Sequence, residues 1–140
     1  MRAKTDWKNK LKELGLSVTS ARLSILQWLE KYHGPFSVEE LFEKIPGTYD
    51  KATFYRNLNS LAEINIIKEV QLGEGFSRYE LNHHENHHHH HIICRICKKI
   101  ESLEMCFIEE FSKTIKKLGF VNISHQLEFT GTCQKCSKGI

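Results

Sequence analysis

Two C-x-x-C pairs, Cys94/Cys97 and Cys133/Cys136, account for four of the five cysteines in the chain. Four thiolates offered from two tight turns meet the demand of a closed tetrahedral zinc site, because Zn²⁺ is a borderline-soft ion that takes sulfur and nitrogen donors. The segment from Met1 to Leu11 is polar and shows no signal peptide, so metal binding rather than a disulfide framework is the expected use of these cysteines. A zinc-dependent thiol-redox protein is the competing chemistry, although neither pair lies in the βαβ context of a thioredoxin-like site.

Directly before the first pair, ENHHHHHIIC carries five consecutive histidines, His87 to His91. Successive side chains of a strand point to opposite faces, so His89 and His91 point one way while His88 and His90 point the other. One run can therefore feed two separate sites. Imidazoles two apart on one face suit Zn²⁺, Fe²⁺ or other first-row ions, with the remaining ligands coming from elsewhere. Glu80 is the candidate for one site, and His125 with Glu109 for the other. By itself His125 reads as a hydrogen-bonded histidine on an apolar face. His83, His84 and His87 read as solvated linker residues. Cys106 lies outside both pairs and reads either as a small hydrophobe at a helix start or as a soft ligand favouring zinc.

These groups need elements to position them. A chain of 140 residues allows one medium domain or two small ones, and a small half buries too little apolar surface to stand without a metal or a partner. No apolar run approaches the ~20 residues that cross a bilayer, so a soluble, cytoplasmic protein without a membrane partner is expected. The formal charge of +3 is unevenly placed. Arg2, Lys4, Lys8, Lys10, Lys12 and Arg22 face only Asp6 and Glu13 at that end, a basic arm suited to a polyanion.

Leu23, Leu26 and Leu29 recur at helical spacing in VTSARLSILQWLEKYHG, and Gly34 stops that helix. SVEELFEKIPG predicts a short helix opened by a Ser37 and Glu40 capping box and closed by Pro46-Gly47. Asp50 can cap KATFYRNLNSLAEIN, where Phe54, Leu58 and Leu61 form the buried stripe and Lys51, Tyr55, Arg56 and Asn59 lie opposite. IIKEVQL and FSRYEL then predict two strands joined by Gly73-Glu74-Gly75. Three helices followed by a hairpin is the layout of a winged helix, and the exposed Tyr55-Arg56 pair favours DNA binding over a merely solvated face. The polar stretch after Leu81 places a linker at 83–87, between domains 1–82 and 88–140. Beyond it the pattern predicts strands His88 to Cys94 and Lys99 to Leu103, a helix from about Cys106 to Leu118, and a strand from Val121 to Thr130. Ile108, Phe111, Ile115 and Leu118 make the apolar stripe of that helix, and Ile123, His125, Leu127 and Phe129 share one face of the last strand. No nucleophile elbow is present, and no enzyme and no small-molecule substrate is expected.

Taken in order, GLSVTSARLSIL, SVEELF, ATFYRNLNSLAEINII, FSRYEL, HHHHIICRICKKIE and GFVNISHQLEFTGTCQKC resemble the ferric uptake regulator family of metal-responsive repressors over nearly the whole chain. The resemblance implies an α+β protein with an N-terminal winged helix-turn-helix domain and a C-terminal α/β dimerisation domain. It implies structural Zn²⁺ at Cys94, Cys97, Cys133 and Cys136, and a sensing site for Fe²⁺, Zn²⁺ or Mn²⁺ at Glu80, His89 and His91. A second site is implied at His88, His90 and His125. Tyr55 and Arg56 match residues that read bases, and Arg22 matches a phosphate contact. The implied partners are a double-stranded, palindromic operator and a second copy of the chain, with a tetramer as a further assembly, in a repressor of metal homeostasis.

The chain departs from the family pattern in three places. The sensing-site histidine before SVEELF falls at Pro35, with His33 two residues earlier. The second-strand acid falls at Ser102, with Glu101 one position away and Glu104 two. Glu109 matches a helix ligand only across a one-residue gap. Glu80 resembles the metal sensors more than the peroxide-sensing branch, where aspartate is usual, and Cys106 resembles a cysteine of zinc-sensing members.

Overall fold

The computed structural model describes residues 4–82, 90–103, 108–123 and 125–139, leaving out the side chain of Glu109. The chain divides into two compact units, Met1–Asn82 and His83–Ile140. The expectations for His83, His84, His87, His88, His89, Glu104 and Cys106 lie outside the described residues.

The basic N-terminal segment is a docked helix, α1 (Trp7–Glu13), capped by Asp6, with Trp7 and Leu11 buried. Residues four apart share one face of a helix, so α1 turns its two large apolar groups inward and leaves Lys8 and Lys12 in water. Glu30 fixes it from the next helix, accepting from the Thr5 N–H at 2.9 Å and the Trp7 indole N–H at 2.9 Å.

Helix α2 (Ser20–Tyr32) is capped by Thr19 and buries Ile25, Leu26 and Leu29. A two-residue strand, β1 (Phe36–Ser37), leads into α3 (Val38–Lys44), where both halves of the Ser37 and Glu40 capping box are formed. Helix α4 (Lys51–Glu63) is capped by Asp50 and buries Phe54, Asn57, Leu58 and Leu61. The hairpin of β2 (Ile67–Gln71) and β3 (Ser77–Leu81) completes an antiparallel sheet in the order β1-β3-β2. Leucines and isoleucines from all four helices meet Ile67, Tyr79 and Leu81 of this sheet in one core. Arg78 locks the wing onto α3: its buried guanidinium donates to Glu74 at 2.7 Å and to Glu40 at 2.9 Å.

The second unit contains β4 (His90–Cys94), β5 (Ile100–Leu103), α5 (Glu109–Lys117), β6 (Glu128–Gly131) and α6 (Gln134–Ser137). Strand β4 is central, antiparallel to β5 and parallel to β6. The strand expected from Val121 is shortened to β6, which pairs Glu128 with His91 and Gly131 with Cys94. A strand needs extended, paired backbone, and Asn122 instead adopts a left-handed φ of 53°. Helix α5 leaves Phe111 and Leu118 68% and 70% exposed, so the expected apolar stripe faces outward at those two positions. No helix among the described residues is long and apolar enough to cross a membrane.

Candidate metal centre and nucleic-acid interface

Cys94 ends β4, and the tight turn after it, closed by the Lys98 N–H to the Cys94 carbonyl at 3.0 Å, carries Cys97 back beside it. The parallel register sets Cys94 against Gly131, so the chain leaving β6 delivers Cys133 and Cys136 on α6 to the same place. Arg95 pins this junction from its backbone N–H to the Gly131 carbonyl at 2.8 Å. The four Sγ atoms lie within 4.8 Å of one another, and the Cys97 and Cys133 sulfurs are 3.7 Å apart. A tetrahedron with Zn–S bonds of ~2.3 Å has edges of roughly 3.8 Å, so the cage has the size of a zinc site.

The thiol acidities carry the same message. Backbone N–H groups, that of Cys133 first and then that of Cys97, lower Cys94 to about 6. Hydrogen bonding from the Cys136 backbone lowers Cys133. Cys136, hydrogen-bonded to Cys133 and crowded by the other sulfurs, is pushed up to about 12. Negative charge at this spacing is self-limiting until a cation neutralises it, as a divalent ion with four thiolates does. The four residues thus fit structural zinc in size, donor type and electrostatics. Among the described residues no other cluster of three or more metal-ligating side chains converges this closely.

His90 and His91, adjacent on β4, are both buried. His90 donates from Nδ1 to the Leu127 carbonyl at 2.9 Å, and its ring centroid lies 5.3 Å from that of His125. This sets the His90 tautomer with its lone pair on Nε2, the nitrogen able to ligate. His91 sits with Nδ1 3.5 Å from Glu128 Oε2, and Ser102 is opposite it on β5. Glu101 is opposite Ile92 instead, one position off the His91 pair, and is exposed in an ion pair with Lys99 at 2.6 Å. The alternation of a strand thus turns Glu101 away from His91.

Glu80, on β3 in the first unit, is buried and ion-paired to Lys68 at 3.0 Å. His33 is the exposed left-handed C-cap of α2 at φ 62°. The next residue, Gly34, runs so close to the wing that an added Cβ would stand 3.2 Å from the Glu80 Cβ. The His33 to Pro35 segment therefore passes against Glu80.

On α4, Lys51, Tyr55, Arg56 and Asn59 are exposed. A cleft of about 510 Å³ between the N-terminus of α2 and α4 is lined by Thr19, Ser20, Arg22, Tyr49, Thr53 and Arg56 among others. Two arginines and the positive end of a helix make this cleft attractive to anions. Ser20 and Tyr49 hydrogen-bond across it. Sequence reasoning missed Tyr49, Ser20, Lys68 and Glu128. For Lys68 and Glu128 the signal is strand register, which is fixed by folding; Tyr49, in the loop before α4, meets Ser20 only in the folded chain.

A winged helix with an exposed basic and aromatic helix face, in one chain with a unit that gathers four thiolates, defines a metal-binding transcription regulator. The profile of the ferric uptake regulator family matches residues 13–130. The chain belongs to that family of metal-responsive transcriptional regulators. It is similar to the peroxide-responsive repressor PerR of Staphylococcus aureus strain Mu50, 28% identical over 130 residues that cover 90% of this chain and 86% of the relative. Among solved structures, the iron-bound ferric uptake regulator of Francisella tularensis is similar at 33% identity and a TM-score of 0.74, covering 88% of this chain and 96% of that one. The Helicobacter pylori regulator Fur, described as having three functional metal-binding sites, superposes with a TM-score of 0.76 at 28% identity, covering 94% of this chain and 89% of that one.

Proposed function

We propose that this protein represses transcription by binding a palindromic DNA operator as a homodimer when a regulatory divalent cation is bound. The observation that carries the reading is the basic cleft between α2 and α4, with Arg22 and Arg56 lining it beside the exposed Tyr55. In the major groove Tyr55 packs on thymine methyl groups and Arg56 bonds a guanine edge, with Lys51 and Asn59 flanking them. Arg22 takes a backbone phosphate. Two copies present two such helices to half-sites about one helical turn apart.

The dimer reading is supported by the second unit. Its buried hydrophobic residues, among those described, are Ile93 and Cys94, whereas Ile96, Phe111, Leu118, Phe120 and Val121 are exposed. So much open apolar surface on so small a core marks an interaction face.

Cys94, Cys97, Cys133 and Cys136 hold structural zinc in this reading. Glu80, His89 and His91, with His33 as a further donor, hold the regulatory ion; His88, His90 and His125, with Glu109, form a second site. Bound at the regulatory site, Fe²⁺, Zn²⁺ or Mn²⁺ supplies binding free energy to the DNA-competent arrangement alone, and about 2–3 kcal/mol of such preference gives a 30- to 100-fold switch. Reduced thiols suit the cytoplasm. The Staphylococcus aureus relative is peroxide-responsive by name; Glu80, where that branch resembles an aspartate, supports metal as the signal here.

The test selects DNA from a random duplex pool with Mn²⁺ present, then measures anisotropy with and without the metal. The double substitution His89→Ala, His91→Ala is expected to keep one zinc per chain and lose metal-dependent binding. Undiminished metal dependence in that variant would remove both histidines from the ligand set.

A further inference from the structure

Lys68 and Glu80 stand directly opposite each other in the β2/β3 register, with Lys68 Nζ 3.0 Å from Glu80 Oε1. The Glu80 side chain is 6% exposed and that of Lys68 29%. The carboxylate is thus held inside the wing, while its cation reaches it from β2, at the edge of the sheet. Arg78, two residues before Glu80 on the same strand, is committed to Glu74 and Glu40. On another side the Gly34 backbone closes against Glu80.

A buried carboxylate demands a compensating cation, and that demand is strong enough that removing the partner of such a group is costly. We propose that Lys68 is a tethered competitor for the regulatory cation: its ammonium occupies the Glu80 carboxylate, and an incoming divalent ion must displace it. Lys68 thereby sets the metal concentration at which the site fills. The inference rests on the reading of Glu80 as a regulatory ligand. A lysine suits this role better than an arginine. Its ammonium is a compact charge on a flexible stem, and the partial exposure of Lys68 gives that charge a path to water once displaced.

The experiment titrates full-length, zinc-loaded protein with Mn²⁺, following the electron paramagnetic resonance signal of the free ion. Lys68→Met and Lys68→Gln are expected to tighten Mn²⁺ binding about tenfold, the effect of one modest charge interaction. Lys68→Arg keeps the competing charge and should bind no more tightly than wild type. Lys12→Met, which removes the same charge from exposed α1, should leave the affinity unchanged. The Mn²⁺-induced rise in melting temperature should be larger in Lys68→Met than in wild type. Wild-type or weaker affinity in both neutral variants overturns the competition, as does equal tightening in Lys12→Met. Glu80→Gln separates the two ideas. Undiminished Mn²⁺ binding there removes Glu80 from the site and defeats the underlying reading; weakened binding there with unaltered Lys68 variants defeats the competition alone.

Discussion

In the proposed reading, specific DNA recognition turns on Arg56. Among the described residues its hydrogen bond, from Nη2 to Thr53 Oγ1 at 3.4 Å, is long, so the guanidinium is oriented without being consumed. Arg56→Ala should weaken binding to the selected operator by about 1–3 kcal/mol while weakening random duplex much less. Equal losses on both DNAs in an anisotropy titration would reassign Arg56 to phosphate binding. The residues that carry chemistry by type and spacing were legible in the sequence: the cysteine pairs needed only their x-x gap to predict a shared cage. Lys68 and Glu128 were not. Each acts through the residue opposite it on another strand, and register follows from tertiary packing rather than from the local pattern.

At the scale of elements, helices α2, α3 and α4 announced themselves through apolar spacing and caps, all of which are local. Helix α1 did not, because a seven-residue segment rich in lysine is too short to be helical by propensity and forms by docking Trp7 and Leu11. Strand β6 was overextended for the opposite reason: alternation was present, but Asn122 leaves the extended conformation and, among the described residues, the ladder with β4 starts only at Glu128. The docking of α1 is tied to pH through Glu30. Burial opposes its charge, but hydrogen bonds from Thr5 and Trp7 and the charge of Lys4 hold its carboxyl below the usual value. Since the folded pKa is depressed, the contribution is fully present above the unfolded-state value and is lost as pH falls through the lower folded one. Glu30→Ala should therefore cost about 1 kcal/mol at neutral pH, allowing for solvent screening, and the difference from wild type should shrink in acid. Tryptophan emission during urea unfolding at several pH values measures it, and a pH-independent difference would refute the linkage.

At the scale of the whole molecule, the two units differ in how they can be stable. The first has a continuous core drawn from four helices and a sheet. Among its described residues the second has little buried apolar surface of its own, four sulfurs gathered at the spacing of a zinc site, and a row of large exposed hydrophobic groups. A unit of that size needs external support, and zinc and a second copy are the two supports its residues suit. The double substitution Phe111→Glu, Leu118→Glu places charge on the exposed apolar face without touching a cysteine or histidine. It should yield a monomer by light scattering that retains its zinc, because the thiolate cage is built from β4, α6 and their turns and needs no partner. Operator affinity should then fall by at least the factor lost when two tethered half-site contacts become independent, about 10²-fold or more. A dimer of unchanged stability would show that copies associate through another face, and zinc loss together with dimer loss would show that the cage depends on the interface.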